Sequence, residues 1–112
     1  MKKKKFYICQ EDLIRYEIGQ ELLTISQFVD NLNKRYCTEN MKKLRTDSIT
    51  NFLCIKGYLI LDNEKRKIPT RKGKILGIEL GTITDKEGKR HMVNLYNARA
   101  KQYILDNLYE II

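Results

Sequence analysis

Residues 44–74 constrain the fold more than any other stretch, because they predict a helix, its end and a hairpin in direct succession. Three apolar side chains recur there at helical spacing: Ile49, Phe52 and Leu53. Thr46 precedes them as the expected N-cap, and Gly57 follows as the residue that stops the helix. The sequence therefore predicts a helix over residues 46–56.

A basic hairpin is predicted directly after this helix, over residues 58–69. Its first strand is the apolar run Tyr58 to Leu61, and its turn lies at residues 62–64. The returning strand begins with three consecutive cations and ends at Pro69, which lacks the amide hydrogen that a sheet interior needs. A helix that runs into a twisted hairpin is the second half of a winged helix-turn-helix.

The rest of the chain predicts further short elements on both sides of this stretch. Before it we expect a helix over residues 10–18, a small strand over 22–25 and a helix over about 27–37. After it we expect a short helix capped by Thr70, a second hairpin over 78–96 and a final helix over 98–111 capped by Asn97. The second hairpin is expected to turn at Asp85 to Gly88.

Together these elements predict one α+β domain over residues 1–112. Its expected architecture is a winged helix-turn-helix with an additional C-terminal β-hairpin and a terminal α-helix. The four lysines near the start of the chain predict a flexible basic tail at residues 1–5. The final helix is apolar over a wide arc, which fits either closure of the core or a homodimer through residues 98–111.

Positive charge is concentrated in one part of the chain. The net charge is +8, and residues 34–74 carry all of it, with twelve basic and four acidic residues. Residues 1–33 and 75–112 each hold five of either sign. Such clustering is typical of a surface that binds nucleic-acid phosphates, although a solvated face that keeps a protein soluble gives the same pattern.

The candidate DNA contacts follow from this placement. On the helix they are the polar residues Thr46, Ser48, Thr50 and Asn51. Around it they are the cations Arg45, Lys65, Arg66, Lys67, Arg71, Lys72 and Lys74. Residues near the start of a second helix reach base edges in the major groove, where asparagine pairs with adenine, and the cations need only charge and position to hold phosphates. The alternative is an ordinary polar face of an amphipathic helix.

Other functional classes find little support in the sequence. The three cysteines have no CxxC spacing, His91 is the one histidine, and paired carboxylates or a nucleophile motif are missing. We therefore expect no catalysis, no metal and no cofactor. Scattered thiols suit a reducing cytoplasm, and no apolar run is long enough to cross a membrane.

From Ser26 onward the layout resembles the C-terminal domain of phage antirepressors, the KilA-C type. The matching pieces are the SQFVDNLN helix, the KGYL helix end, the IPTRKGKILGI segment, the hairpin with Asp85 and Gly88, and the ARAKQYILDNL helix. They span about three quarters of the chain, and the last hairpin is less aromatic than the family pattern. The resemblance implies a winged-helix DNA-binding or regulatory module of a mobile element.

We thus expect a DNA-binding transcriptional regulator, with helix 46–56 in the major groove of double-stranded DNA and hairpin 58–69 on its backbone. The alternative function is a winged-helix protein-interaction module that binds an acidic partner or a repressor. Charge and a polar helix face fit both.

Overall fold

The computed structural model describes residues 2–112, and within them six helices and two small antiparallel sheets form an α+β fold. In chain order the elements are α1 Gln10–Arg15, α2 Ile25–Tyr36, α3 Thr46–Ile55, β1 Leu59–Leu61, β2 Lys67–Pro69, α4 Arg71–Leu76, β3 Ile78–Thr84, β4 Arg90–Tyr96, α5 Ala98–Asp106 and α6 Leu108–Ile111. Strand β1 pairs with β2, and β3 pairs with β4. The predicted α+β class is confirmed.

The core lies between α2, α3 and the two C-terminal helices. Each of them buries one apolar stripe, which on α3 consists of the predicted Ile49, Phe52 and Leu53. The inner residues of the other helices join the cluster: Phe28, Val29, Leu32, Ala100, Ile104, Leu105 and Leu108. Six buried residues outside the helices complete it: Phe6, Ile8, Leu44, Leu59, Ile78 and Tyr96. Burial of these stripes against one another is the main favourable contribution to folding.

Helix α2 begins earlier than predicted because Thr24 is a better cap than the sequence pattern suggested. The Thr24 hydroxyl accepts a hydrogen bond from the Gln27 amide at 3.2 Å, and the Gln27 side chain accepts one from the Thr24 amide at 3.0 Å. This reciprocal capping box fixes the helix start. The strand predicted over residues 22–25 is wrong, since only Leu23 pairs, through two backbone bonds to Tyr96 at 3.2 and 2.7 Å.

A buried lysine organises the loop after α1. Lys101 is 1% exposed. Its Nζ donates to the Gly19 and Glu21 carbonyls at 2.9 and 2.8 Å and lies 3.9 Å from the Glu21 carboxylate. A buried ammonium needs such acceptors, because an unpaired charge inside a protein is very costly. Helix α1 ends at Arg15 rather than continuing over residues 10–18, and the loop that follows it supplies the two carbonyls that bind the lysine.

The terminal helix predicted over residues 98–111 is divided in two at Asn107. The Asn107 side chain donates to the Tyr103 carbonyl at 2.8 Å, and its backbone leaves helical geometry with φ −111° and ψ 13°. Much of the apolar arc of α5 and α6 packs inside the chain, while Tyr109 remains 47% exposed. A homodimer through this region stays a prediction.

The N-terminal segment is fixed from Lys4 onward. The Lys4 amide donates to the Asn40 carbonyl at 2.7 Å, and the Lys42 amide donates to the Lys4 carbonyl at 2.7 Å. Phe6 and Ile8 then enter the core at 3% and 1% exposure. The prediction of a flexible tail over residues 1–5 is therefore wrong for its last two residues.

Replacing Lys101 tests the loop anchor. We expect Lys101→Met to lower the free energy of unfolding by about 1–3 kcal/mol, because it leaves two carbonyls without their donor while keeping most of the side-chain volume. Urea unfolding measures this change. The exposed Arg99 on the same helix gives a matched control, and Arg99→Met should stay within about 0.5 kcal/mol. Equal stability of both variants would contradict the anchoring role.

Candidate nucleic-acid interface

Helix α3 presents a narrow polar face to solvent, formed by Asp47, Ser48 and Asn51, with the 82% exposed Ile55 at its end. The helix begins at Thr46, and Arg45 occupies the N-cap position without a side-chain capping bond. The prediction that Thr46 caps the helix is therefore wrong. Arg45 lies 3.7 Å from the Asp47 carboxylate, which reduces the negative charge on this face.

Thr50 does not belong to this face, contrary to the prediction. It is 8% exposed, because the side chain of Lys67 from β2 covers it. The Lys67 Nζ donates to Thr50 Oγ1 and to Asn51 Oδ1, both at 2.8 Å. This pair of bonds ties the first hairpin to α3. Two of the three N–H groups of the ammonium are thereby engaged within the chain.

Asn51 remains exposed beside the hairpin, with its side-chain oxygen held by Lys67. An amide oxygen has two lone pairs, so this oxygen still has room for a second hydrogen bond. The amide nitrogen of Asn51 has no acceptor within residues 2–112. Both groups that pair with an adenine edge are thus accessible on α3.

The C-terminal end of α3 is closed by a turn with Gly57 in the left-handed region at φ +86°. The amides of Gly57 and Tyr58 donate back to the carbonyls of Cys54 and Leu53 at 3.1 and 2.8 Å. These two backbone hydrogen bonds form the pattern that is typical where a glycine ends a helix, so the predicted stop at Gly57 is confirmed.

Helix α4 docks on that end and supplies it with donors. The Thr70 hydroxyl donates to the Gly57 carbonyl at 2.6 Å, and the Lys72 Nζ donates to the Lys56 carbonyl at 2.8 Å. The Lys72 ammonium also lies 4.4 Å from the centre of the Tyr58 ring. A cation at a helix C-terminus is favourable, so Lys72, predicted as a phosphate contact, already binds the protein itself.

Gly73 allows this close docking. A Cβ atom added there would lie 2.1 Å from the Tyr58 carbonyl oxygen, which belongs to the backbone and has little freedom to move. The Gly73 amide donates a hydrogen bond to Thr70 Oγ1 at 3.1 Å, so the predicted cap of α4 is confirmed. Arg71 and Lys74 remain on the exposed side of the same helix.

The two hairpins share one turn, which the sequence shows as D-x-E-x-[RK] at residues 62–66 and 85–89. The Asp62 Oδ1 accepts from two backbone amides at 2.9 and 2.8 Å, and the Asp85 Oδ1 accepts from two at 2.9 Å. The fourth turn residue has positive φ in both, +63° at Lys65 and +84° at Gly88. The sequence interpretation overlooked this repeated turn.

Hydrogen bonding lowers the pKa of both turn aspartates below the usual 3.8. For Asp62 the first cause is the Arg66 amide, and for Asp85 it is the His91 ring, whose Nε2 lies 2.7 Å from Oδ2. Both carboxylates are therefore negatively charged near neutral pH, and each lies in the turn of its hairpin.

Some of the predicted phosphate contacts are cations paired with a carboxylate, and others are cations without such a partner within residues 2–112. The Arg66 guanidinium lies 3.4 Å from Asp62 and 3.1 Å from the Glu64 carboxylate. Within residues 2–112, three of the predicted cations are exposed and take part in neither a salt bridge nor a side-chain hydrogen bond: Lys65, Arg71 and Lys74. The net positive charge around α3 therefore comes from its flanks, since residues 46–55 contain one charge, that of Asp47.

Comparison of the chain with protein-family models, with curated proteins and with solved structures gave no match. Within residues 2–112, no three His, Cys, Asp or Glu side chains are grouped closely enough to hold a metal ion. None of the helices in that range has the length and apolar character needed to span a bilayer.

Substitution of Gly73 tests the position of the basic helix α4. Gly73→Ala should lower the free energy of unfolding by about 1–3 kcal/mol, because its Cβ meets the Tyr58 carbonyl oxygen and forces α4 away from that segment. Chemical denaturation gives the value. The neighbouring Lys74→Ala, on the exposed side, should change stability by less than about 0.5 kcal/mol. A Gly73→Ala variant as stable as wild type would show that the two segments are not in close contact.

Acid titration tests the turn aspartates. Because the folded pKa of Asp62 and of Asp85 is lowered, their contribution to stability is present above pH 3.8 and is lost as the pH falls below it. Thermal unfolding between pH 7 and pH 2.5 should show a smaller acid-induced drop in melting temperature for the Asp62→Asn/Asp85→Asn variant than for wild type. The same drop in both proteins would argue against the turns as its source.

Proposed function

We propose that this protein binds double-stranded DNA as a winged helix-turn-helix regulator of the phage or mobile-element type. The observation that carries the proposal is the double hydrogen bond of Lys67, which holds a basic hairpin beside the exposed polar face of α3. The concentration of positive charge in the chain, +8 over residues 34–74, also supports DNA as the partner. In this proposal α3 is the recognition helix and the β1–β2 hairpin is the wing.

The base-reading residues in this proposal are Ser48 and Asn51, which are exposed near the N-terminal half of α3. Second helices of this kind contact base edges in the major groove with their N-terminal residues. Asn51 offers both a donor and an acceptor, as adenine recognition requires. Thr50 is excluded because its hydroxyl is covered by Lys67.

The phosphate contacts surround the helix. Arg45 stands at its start, Lys65 and Arg66 stand at the tip of the hairpin, and Arg71 and Lys74 lie on α4. Phosphate contacts fix the register of a protein on the duplex without selecting sequence. Asp47 opposes phosphates, so its pairing with Arg45 at 3.7 Å favours this use of the helix.

One observation also favours the alternative, a winged-helix module that binds an acidic protein such as a repressor. Three large apolar side chains near the basic hairpin are strongly exposed: Ile55 at 82%, Ile60 at 56% and Leu61 at 55%. Protein interfaces combine such apolar groups with a polar rim, whereas contacts with the DNA backbone are made by charged and polar groups.

Salt-dependent binding to DNA tests the proposal. Anisotropy of a labelled random duplex should report binding that weakens steeply between low and physiological salt, since each phosphate contact contributes about 0.9 to the log–log slope. Arg66→Ala should reduce that slope by about 0.9. Lys89→Ala is the matched control, because Lys89 occupies the same place in the same turn of the second hairpin.

Each result has a defined meaning. Absence of binding at low salt rejects the DNA proposal and leaves capture of an acidic protein as the experiment for the alternative. Equal loss of slope in Arg66→Ala and Lys89→Ala rejects the assignment of phosphate contacts to the first hairpin. A change confined to Arg66→Ala supports it.

A further inference from the structure

A pocket of about 230 Å³ lies where the N-terminal segment, the connection between α2 and α3, and the end of the chain meet. Its apolar lining is formed by Phe6, Leu44, Ile111 and Ile112. Phe6 and Leu44 belong to the buried core, and the two isoleucines are half-buried. The pocket therefore has a firm apolar wall that continues from the core.

The polar part of the lining is cationic. It consists of Lys5, Lys42, Lys43 and Arg45, together with Ser48, and no aspartate or glutamate lines the pocket. Asp47, which pairs with Arg45 at 3.7 Å, is the nearest counter-charge that the contacts reveal. Four cationic side chains against the one acidic side chain of Asp47 leave a net positive charge at the pocket, and low-dielectric walls intensify the potential of such a charge.

Backbone and side-chain bonds hold this arrangement in place. Lys4 is bonded on both sides, to the Asn40 carbonyl and the Lys42 amide at 2.7 Å each, which keeps Lys5 beside the connection. The Asn33 side chain accepts from the Leu44 amide at 2.8 Å and donates to the Leu44 carbonyl at 3.0 Å. The segment that carries the cations is thus fixed by α2, and the site is preformed.

We propose that this pocket binds a small organic phosphate whose remaining part is apolar. The cations complement a doubly charged phosphate, and lysine and arginine are the usual phosphate-binding side chains. The apolar wall complements a short alkyl or aryl group. A volume of about 230 Å³ equals the liquid share of roughly eight water molecules, which fits a ligand of that class and not a long lipid.

The site overlaps the DNA surface proposed above at Arg45 and Ser48. Lys5, Lys42 and Lys43 have no part in the proposed contacts with DNA. Because the first turn of α3 lines the pocket, an occupant there contacts the same helix that carries Asn51. The proposal is tested without DNA, so it does not depend on the DNA proposal.

Hexyl phosphate is the probe, with inorganic phosphate and hexanol as its two halves. Titration calorimetry of the full chain should show hexyl phosphate binding at least tenfold tighter than either half, because the site uses both the cations and the apolar wall. Binding of hexyl phosphate no tighter than that of inorganic phosphate would overturn the proposal, since the apolar wall would then have no role.

Charge variants locate the site. Lys42→Ala/Lys43→Ala should weaken hexyl phosphate binding at least tenfold, whereas Lys86→Ala/Lys89→Ala, which removes the same charge from the second hairpin, should leave it unchanged. Circular dichroism confirms that both variants are folded. Equal weakening in both would identify a general electrostatic effect and reject the pocket. Ile112→Ser gives the apolar counterpart, with a loss expected for hexyl phosphate and none for inorganic phosphate.

Discussion

The basic half of the structure depends on how the C-terminal end of α3 is satisfied. The last carbonyls of a helix have no partner inside it, and burying them without donors is costly. Here Gly57 turns the chain so that two amides fold back, and Thr70 and Lys72 of the α4 region supply the remaining donors. Because β1 and β2 lie between these contact points in the chain, the same interaction sets the base of the first hairpin against α3.

The proposed interface depends on this contact between α3 and the α4 region. The same contact decides which of its cations bind the protein itself and which face solvent. Lys67 and Lys72 each donate to groups of α3, and their removal would disturb the hairpin or the helix end as well as the surface charge. Lys65, Arg71 and Lys74 are exposed and outside salt bridges within residues 2–112, so their charge acts mainly on a partner. A loss of DNA binding is therefore informative at Lys65, Arg71 or Lys74 and ambiguous at Lys67.

Local features of this fold were predictable from the sequence, and features that depend on distant contacts were not. The stripe of Ile49, Phe52 and Leu53, the stop at Gly57 and the caps at Thr70 and Asn97 are encoded within a few residues of where they act. Lys101 looks like a surface lysine until its partners, 80 and 82 positions away, are known. The burial of Thr50 likewise follows from a lysine 17 positions further along the chain. Periodicity assigned α3 its core face, but only the packing of β2 decides which polar residues stay accessible.

The repeated turn bears on the proposed role of the first hairpin. Both turns place their fourth residue in the left-handed region, where glycine is unstrained and an L-residue costs roughly 1 kcal/mol. The second hairpin has Gly88 there, whereas the first has Lys65 at φ +63°. Strain of this kind persists where the surrounding structure fixes it, and it clusters at functional sites. In the first hairpin the strained residue is an exposed cation at the tip, next to Arg66. It lies within residues 34–74, which carry the net positive charge of the chain. The proposed phosphate contact would give that lysine a role that glycine could not fill, and the charge-balanced second hairpin has no corresponding requirement.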